Sequence, residues 1–121
     1  MNLKNTLVIG ASEKPERYSY KAIMSLLNHN HPVFAIGNKK GKVSDVDIIT
    51  DKVQFENIDT VTLYLNPDRQ KEYYDYILSL KPKRIIFNPG TENDEFENLA
   101  SKNNIQILEA CTLVLLSTGQ Y

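Results

Sequence analysis

Four short apolar runs constrain this chain more than any other feature of its sequence: Thr6–Ile9, Val33–Ile36, Val61–Leu65 and Arg84–Phe87. Each is rich in β-branched or aromatic residues, and none alternates between apolar and polar positions. Strands of that kind belong in a parallel sheet covered on both faces. Ile105–Leu108 reads as a fifth strand, and Val46–Thr50 as a short edge strand. Between the runs lie helical patterns. Tyr18–Asn28 gathers Ala22, Ile23, Leu26 and Leu27 on one side, and Asp68–Leu80 gathers Tyr73, Tyr76, Ile77 and Leu80. Asn93–Asn103 turns Phe96, Leu99 and Ala100 inward, and Thr112–Ser117 forms a closing helical turn. Strand and helix alternate, so the expected fold is α/β: a three-layer Rossmann-like fold with a mainly parallel sheet of five to six strands and helices on both faces. The segment from Gly37 to Asp59 breaks the alternation and carries no helical pattern.

A chain of 121 residues fits one domain, expected to span residues 1–121. Its net charge of −1 argues against non-specific nucleic-acid binding, which needs a basic face. Cys111 is the only cysteine, so no internal disulfide forms, and a cytoplasmic location is the simplest expectation. The first apolar run stops at Gly10, too short for a signal-peptide core, and Leu113–Leu116 is far below a membrane span. No membrane partner is expected. The sequence leaves open a protein partner or a homo-oligomer.

In an open parallel sheet, ligands bind beyond the carboxyl ends of the strands. The first strand ends in Gly10-Ala11-Ser12-Glu13-Lys14-Pro15-Glu16-Arg17, followed by a helix. A small loop entering a helix presents free N–H groups and a positive dipole end, which together receive phosphate. Gly10 and Ala11 leave room for close approach, Ser12 adds a hydroxyl, and Lys14, Arg17 and Lys21 add charge. An ordinary β–α turn with surface charges is the plain alternative. The second strand ends in Gly37-Asn38-Lys39-Lys40-Gly41-Lys42. A domain that binds NAD usually carries an acidic residue there, for the ribose hydroxyls. Lysines instead attract a phosphate on the ribose, which both NADP and coenzyme A carry.

Asn66 and Pro67 read as a helix cap and first helical residue, with Asn66 additionally able to face a ligand. Asn88-Pro89-Gly90 forms a tight turn. The helix after it begins with Glu92, Asp94, Glu95 and Glu97, which repel phosphate, so this turn is expected along an uncharged stretch of ligand such as a pantetheine arm. Cys111 ends the last strand, within reach of a thiol or thioester, although most lone cysteines are small buried residues. Tyr18 and Tyr20 either cover a ligand or pack in the core. Tyr64, Tyr73, Tyr74 and Tyr76 are expected to pack, and His29 and His31 to be surface or helix-terminal residues on the wrong edge of the sheet. No Cys/His cluster has metal-ligand spacing, and no Ser–His–Asp set stands out.

Val8-Ile9-Gly10-Ala11-Ser12, followed by Pro15, Tyr18, Ser19 and Tyr20, resembles the opening of the small stand-alone CoA-binding domain proteins. These are similar to the N-terminal domain of the succinyl-CoA synthetase alpha subunit. The Asn88-Pro89-Gly90 turn and the ending Glu109-Ala110-Cys111 also fit, so the resemblance covers nearly the whole chain. It implies a Rossmann-like domain that binds CoA or an acyl-CoA, with no established catalytic activity. By that resemblance Gly10 and Ser12 meet phosphates, Lys39 and its neighbours lie near the 3′-phosphate, and Asn88, Pro89 and Gly90 line the pantetheine path. Gly37-Asn38 departs from the family's more typical Asn-Pro. The synthetases' phosphorylated histidine has no counterpart, so ligase activity is not implied. Two other readings stand beside a non-catalytic binding or regulatory module. One is an NADP-dependent oxidoreductase, for which 121 residues leave little room; the other is a structural or interaction protein with a vestigial nucleotide site.

Overall fold

The computed structural model describes residues 2–121. Its seven-stranded sheet is built from β1 (Thr6–Ile9), β2 (Val33–Ile36), β3 (Gly41–Val43), β4 (Val46–Ile49), β5 (Thr60–Leu63), β6 (Arg84–Phe87) and β7 (Gln106–Glu109), in the order β3-β4-β2-β1-β5-β6-β7. Every pairing is parallel except β3 with β4. The α/β Rossmann-like reading therefore holds, with one strand more than the expected range. Val46 is not at the edge: β4 pairs with β2, and the three-residue β3 turns back outside it. Limits elsewhere shift by a residue or two, as at β5, which ends at Leu63.

The helices are α1 (Tyr18–Asn28), α2 (Pro67–Gln70), α3 (Tyr74–Leu80), α4 (Asp94–Lys102) and α5 (Thr112–Ser117), with a 3-10 turn over Lys71–Tyr73. Side chains alternate across each strand, which sorts the core into two layers. Leu7, Ile9, Val61, Leu63, Ile85 and Phe87 pack with Ile77 of α3 and Phe96 of α4. Val8, Ala35 and Ile48 pack with Ile23 and Leu26 of α1 and Leu116 of α5. One face of the central strands is thus wholly apolar, while on the other β5 presents the buried Thr60 and Thr62 and β6 the buried Arg84 beside Ile86.

The expected helix from Asp68 to Leu80 is two pieces. Gln70 is fully buried; its Nε2 donates to the carbonyls of Leu65 and Thr91 at 2.8 Å each, and its Oε1 accepts from Asn93. The winding tightens directly after this pinned residue. Among the described residues, no helix is long and apolar enough to cross a membrane.

The chain starts in the middle of the sheet at β1, proceeds outward through β2 to β4, then returns to add β5, β6 and β7 on the other side. The strand order reverses between β1 and β5. A crevice opens at such a reversal because the loops leaving the two strands diverge.

Candidate functional site

The loop after β1 is shaped by Gly10. Its φ of +91° is open to glycine and strained for other residues, and a Cβ there would lie 2.8 Å from the Tyr64 carbonyl oxygen. The loop thereby packs directly on the end of β5. Gly10 and Ala11 both donate their N–H to the Ile36 carbonyl at 2.9 Å, so these two groups are not offered to a ligand. Among the described residues the N–H groups of Ser12 and Glu13 have no acceptor. The Ser12 hydroxyl accepts from the Lys14 N–H at 3.1 Å and keeps its own proton to donate. Arg17 is the N-cap of α1, with no side chain capping the helix start.

A cavity of about 370 Å³ lies over this loop and the reversal, a size suited to part of a nucleotide ligand. Gly10, Ala11, Ser12, Arg17, Lys39 and Lys40 line it, as the sequence anticipates. Lys14 joins them, and so do residues not anticipated: Glu13, Arg69 and Tyr73. Five cations therefore border one concavity: Lys14, Arg17, Lys39, Lys40 and Arg69. None forms an ion pair among the described residues, where the pairs are Lys42–Asp47, Lys71–Asp68 and Lys83–Asp59. The one carboxylate in the wall, Glu13, accepts from the Lys42 N–H at 3.2 Å and ties the β1 loop to β3. Unneutralised cations in a cleft favour an anionic occupant.

A second cavity, of about 250 Å³, adjoins the first at Tyr64, which borders both. Its walls are Tyr18, Asn88, Pro89, Cys111 and Leu113. They offer mostly apolar surface and no full charge. Burial pushes the Tyr64 phenol up to about 12, partly offset by the Thr62 and Thr112 hydroxyls, so it stands as a neutral group between the two cavities.

Asn88 forms the floor. Its Nδ2 donates to Thr62 Oγ1 at 2.6 Å and to the Leu63 carbonyl at 2.9 Å, while its Oδ1 accepts from the Thr112 N–H at 2.9 Å. Both amide protons are committed to the protein, so Asn88 chiefly fixes the start of α5 and the Cys111 beside it. Cys111 is half-buried and Tyr18 is exposed.

Several anticipated residues line neither cavity, among them Lys21, whose ammonium lies over the Tyr18 ring, 5.1 Å from its centroid. Asn66 is exposed, and its Oδ1 accepts from the Arg69 N–H at 3.0 Å, so its capping role accounts for it. Gly90 is exposed and donates its N–H to Glu92 Oε1 at 2.9 Å. Tyr64 and Tyr73, expected to serve only packing, border cavities. His31, expected at the surface or a helix terminus, is buried: its Nδ1 accepts from the Lys4 N–H at 3.0 Å and its ring packs against Tyr121, 4.8 Å between centroids.

A parallel sheet with a cation-lined crevice at its strand reversal defines a Rossmann-like α/β domain of the ligand-binding type. The chain belongs to the CoA binding domain family, which it matches over residues 4–117. Among solved structures it is similar to the crystal structure of an uncharacterized protein, with 49% identity, a TM-score of 0.98 and all of both chains covered. It shares its fold with a hypothetical protein from Pyrococcus horikoshii OT3, 24% identical with a TM-score of 0.88 over 97% of this chain and 84% of that one. The structure of cell-free ID.343 from Thermus thermophilus, 15% identical, has a TM-score of 0.85 over 98% of this chain and 91% of that one. No curated protein matches the chain.

Proposed function

We propose that this protein binds coenzyme A, free or acylated, as a cytoplasmic binding or regulatory module. The observation that carries the reading is the order of two joined cavities along the sheet. The cation-lined cavity covers the ends of β2, β1 and β5; the uncharged one lies beyond Tyr64, beside β6 and the start of α5. Coenzyme A has the same order, from phosphorylated adenosine through a diphosphate to an uncharged pantetheine arm ending in sulfur. Family membership supports the same ligand.

In this reading Lys39 and Lys40 face the 3′-phosphate, Ser12 and the free N–H groups beside it meet the diphosphate, and Pro89, Tyr18 and Cys111 surround the arm's far end. Calorimetric titration with CoA, acetyl-CoA and NADPH is the test. Binding of CoA or acetyl-CoA with NADPH weaker is the expected result; tighter NADPH would overturn it, and no binding by any of the three would favour a structural role. Replacing Lys39 and Lys40 together by Ala should weaken CoA roughly tenfold or more and leave dephospho-CoA, which lacks the 3′-phosphate, nearly unchanged. Equal losses would show the phosphate contact to be assigned to the wrong loop.

A further inference from the structure

We propose that Arg69 is the counter-ion of the CoA diphosphate, closing the phosphate site from the side opposite Lys39 and Lys40; the inference rests on the CoA reading above.

Three observations converge on this arginine. The first is position. The loop after β1 has β2 on one side and β5 on the other, and Arg69 follows β5 as Lys39 and Lys40 follow β2. Arg69 therefore borders the crevice at the strand reversal, across from Ser12, and both side chains line the same cavity. The ends of neighbouring strands lie only about 5 Å apart, so a group held at the β1 loop is within reach of a long side chain from β5.

The second is availability. Arg69 has no carboxylate partner among the described residues; the adjacent Asp68 pairs with Lys71 at 3.9 Å. The third is rigidity of the base. The Arg69 N–H donates to both the Asn66 carbonyl and the Asn66 Oδ1, and the next residue is the buried, triply bonded Gln70. On so fixed a backbone the base of the arginine is already placed, so engaging a ligand orders its side chain but not its backbone. Its planar fork matches two phosphate oxygens at once, which a lysine cannot do.

The order of groups in the ligand decides which phosphate is involved. With the 3′-phosphate at β2 and the arm beyond Tyr64, the diphosphate falls between them, at β1 and β5. Arg69→Ala should then weaken CoA and dephospho-CoA by the same factor, roughly tenfold or more. The Lys39/Lys40 double variant separates those two ligands.

The experiment is titration of wild type, Arg69→Ala and Arg69→Lys with both ligands, with melting temperatures measured alongside. Arg69→Lys, which keeps the charge and loses the fork, should fall between the other two. Unchanged affinity in Arg69→Ala would overturn the proposal, as would a loss confined to CoA, which would move Arg69 to the 3′-phosphate. Should Arg69→Ala melt lower, Arg69→Gln against Arg69→Lys gives the same comparison with the side-chain stem retained. Wild-type protein that binds neither ligand would remove the CoA reading itself, an outcome distinct from binding that ignores Arg69.

Discussion

Gly10 shows how a single missing Cβ sets the geometry of the site. The loop after β1 rests on the backbone at the end of β5, and any side chain at position 10 would strike the Tyr64 carbonyl while holding a strained φ. Gly10→Ala should therefore lower stability by roughly 1–3 kcal/mol and displace the loop from β5, weakening any phosphate ligand as well. A urea titration reads the first effect, and an unchanged midpoint would mean that the loop relaxes without cost. The importance of this glycine is legible in the sequence, because a glycine ending a buried strand before a helix has few other uses. Arg69 and Glu13 are not legible in the same way. Each sits in a charged, turn-like stretch, and only the placement of β5 beside β1, opposite β2, brings Arg69 into the cavity over the loop after β1. His31 escapes the sequence for a related reason: the groups that bury it, Lys4 and Tyr121, are remote along the chain.

The sheet's inner strands are readable to within a residue or two because burial on both faces selects short runs dominated by apolar and β-branched residues, and such runs are conspicuous. Of the hairpin, β4 is readable as Val46–Thr50 but β3 is not, since β3 has three residues and its middle one, Lys42, faces solvent. The interruption of the helix after Gln70 is hidden because the apolar spacing continues through it. Tyr76 of α3 illustrates what that packing stores. It is 8% exposed, its hydroxyl donates to the Val53 carbonyl at 2.6 Å, and burial pushes its phenol from 10.0 up to about 12. The unfolded chain releases this proton near pH 10, while the folded chain keeps it until about 12. Stability is therefore complete below pH 10 and falls as pH rises between those values, by roughly 1.4 kcal/mol per pH unit for each such tyrosine. Tyr64 adds a second decline over the same window. Denaturant midpoints across that range should steepen downward in the wild type, and Tyr76→Phe should flatten the slope despite losing about 1 kcal/mol from the missing hydrogen bond. An unaltered slope in Tyr76→Phe would show that this phenol titrates alike in both states.

Across the whole molecule, one ligand must reach from the loop after β2 to the start of α5 for both cavities to be filled. This makes the reading sensitive to ligand length as well as to charge. Adenosine 3′,5′-diphosphate carries the charged end of CoA and no pantetheine arm, so it should occupy the cation-lined cavity and stop short of Tyr64. Acetyl-CoA carries the arm, and its sulfur has no free thiol to consume an alkylating reagent. Cys111 lies in the wall of the far cavity and is the only thiol in the chain, which makes it a position marker. Saturating acetyl-CoA should slow alkylation of Cys111 by at least tenfold, since a site held at 100 times Kd is open only about 1% of the time. Adenosine 3′,5′-diphosphate at matched saturation should leave the rate nearly unchanged, although it raises the melting temperature. Protection by both ligands would point to a conformational closure transmitted through Tyr64 in place of direct cover. Protection by neither, with acetyl-CoA bound, would send the arm out of the crevice by another route and leave the uncharged cavity without an occupant.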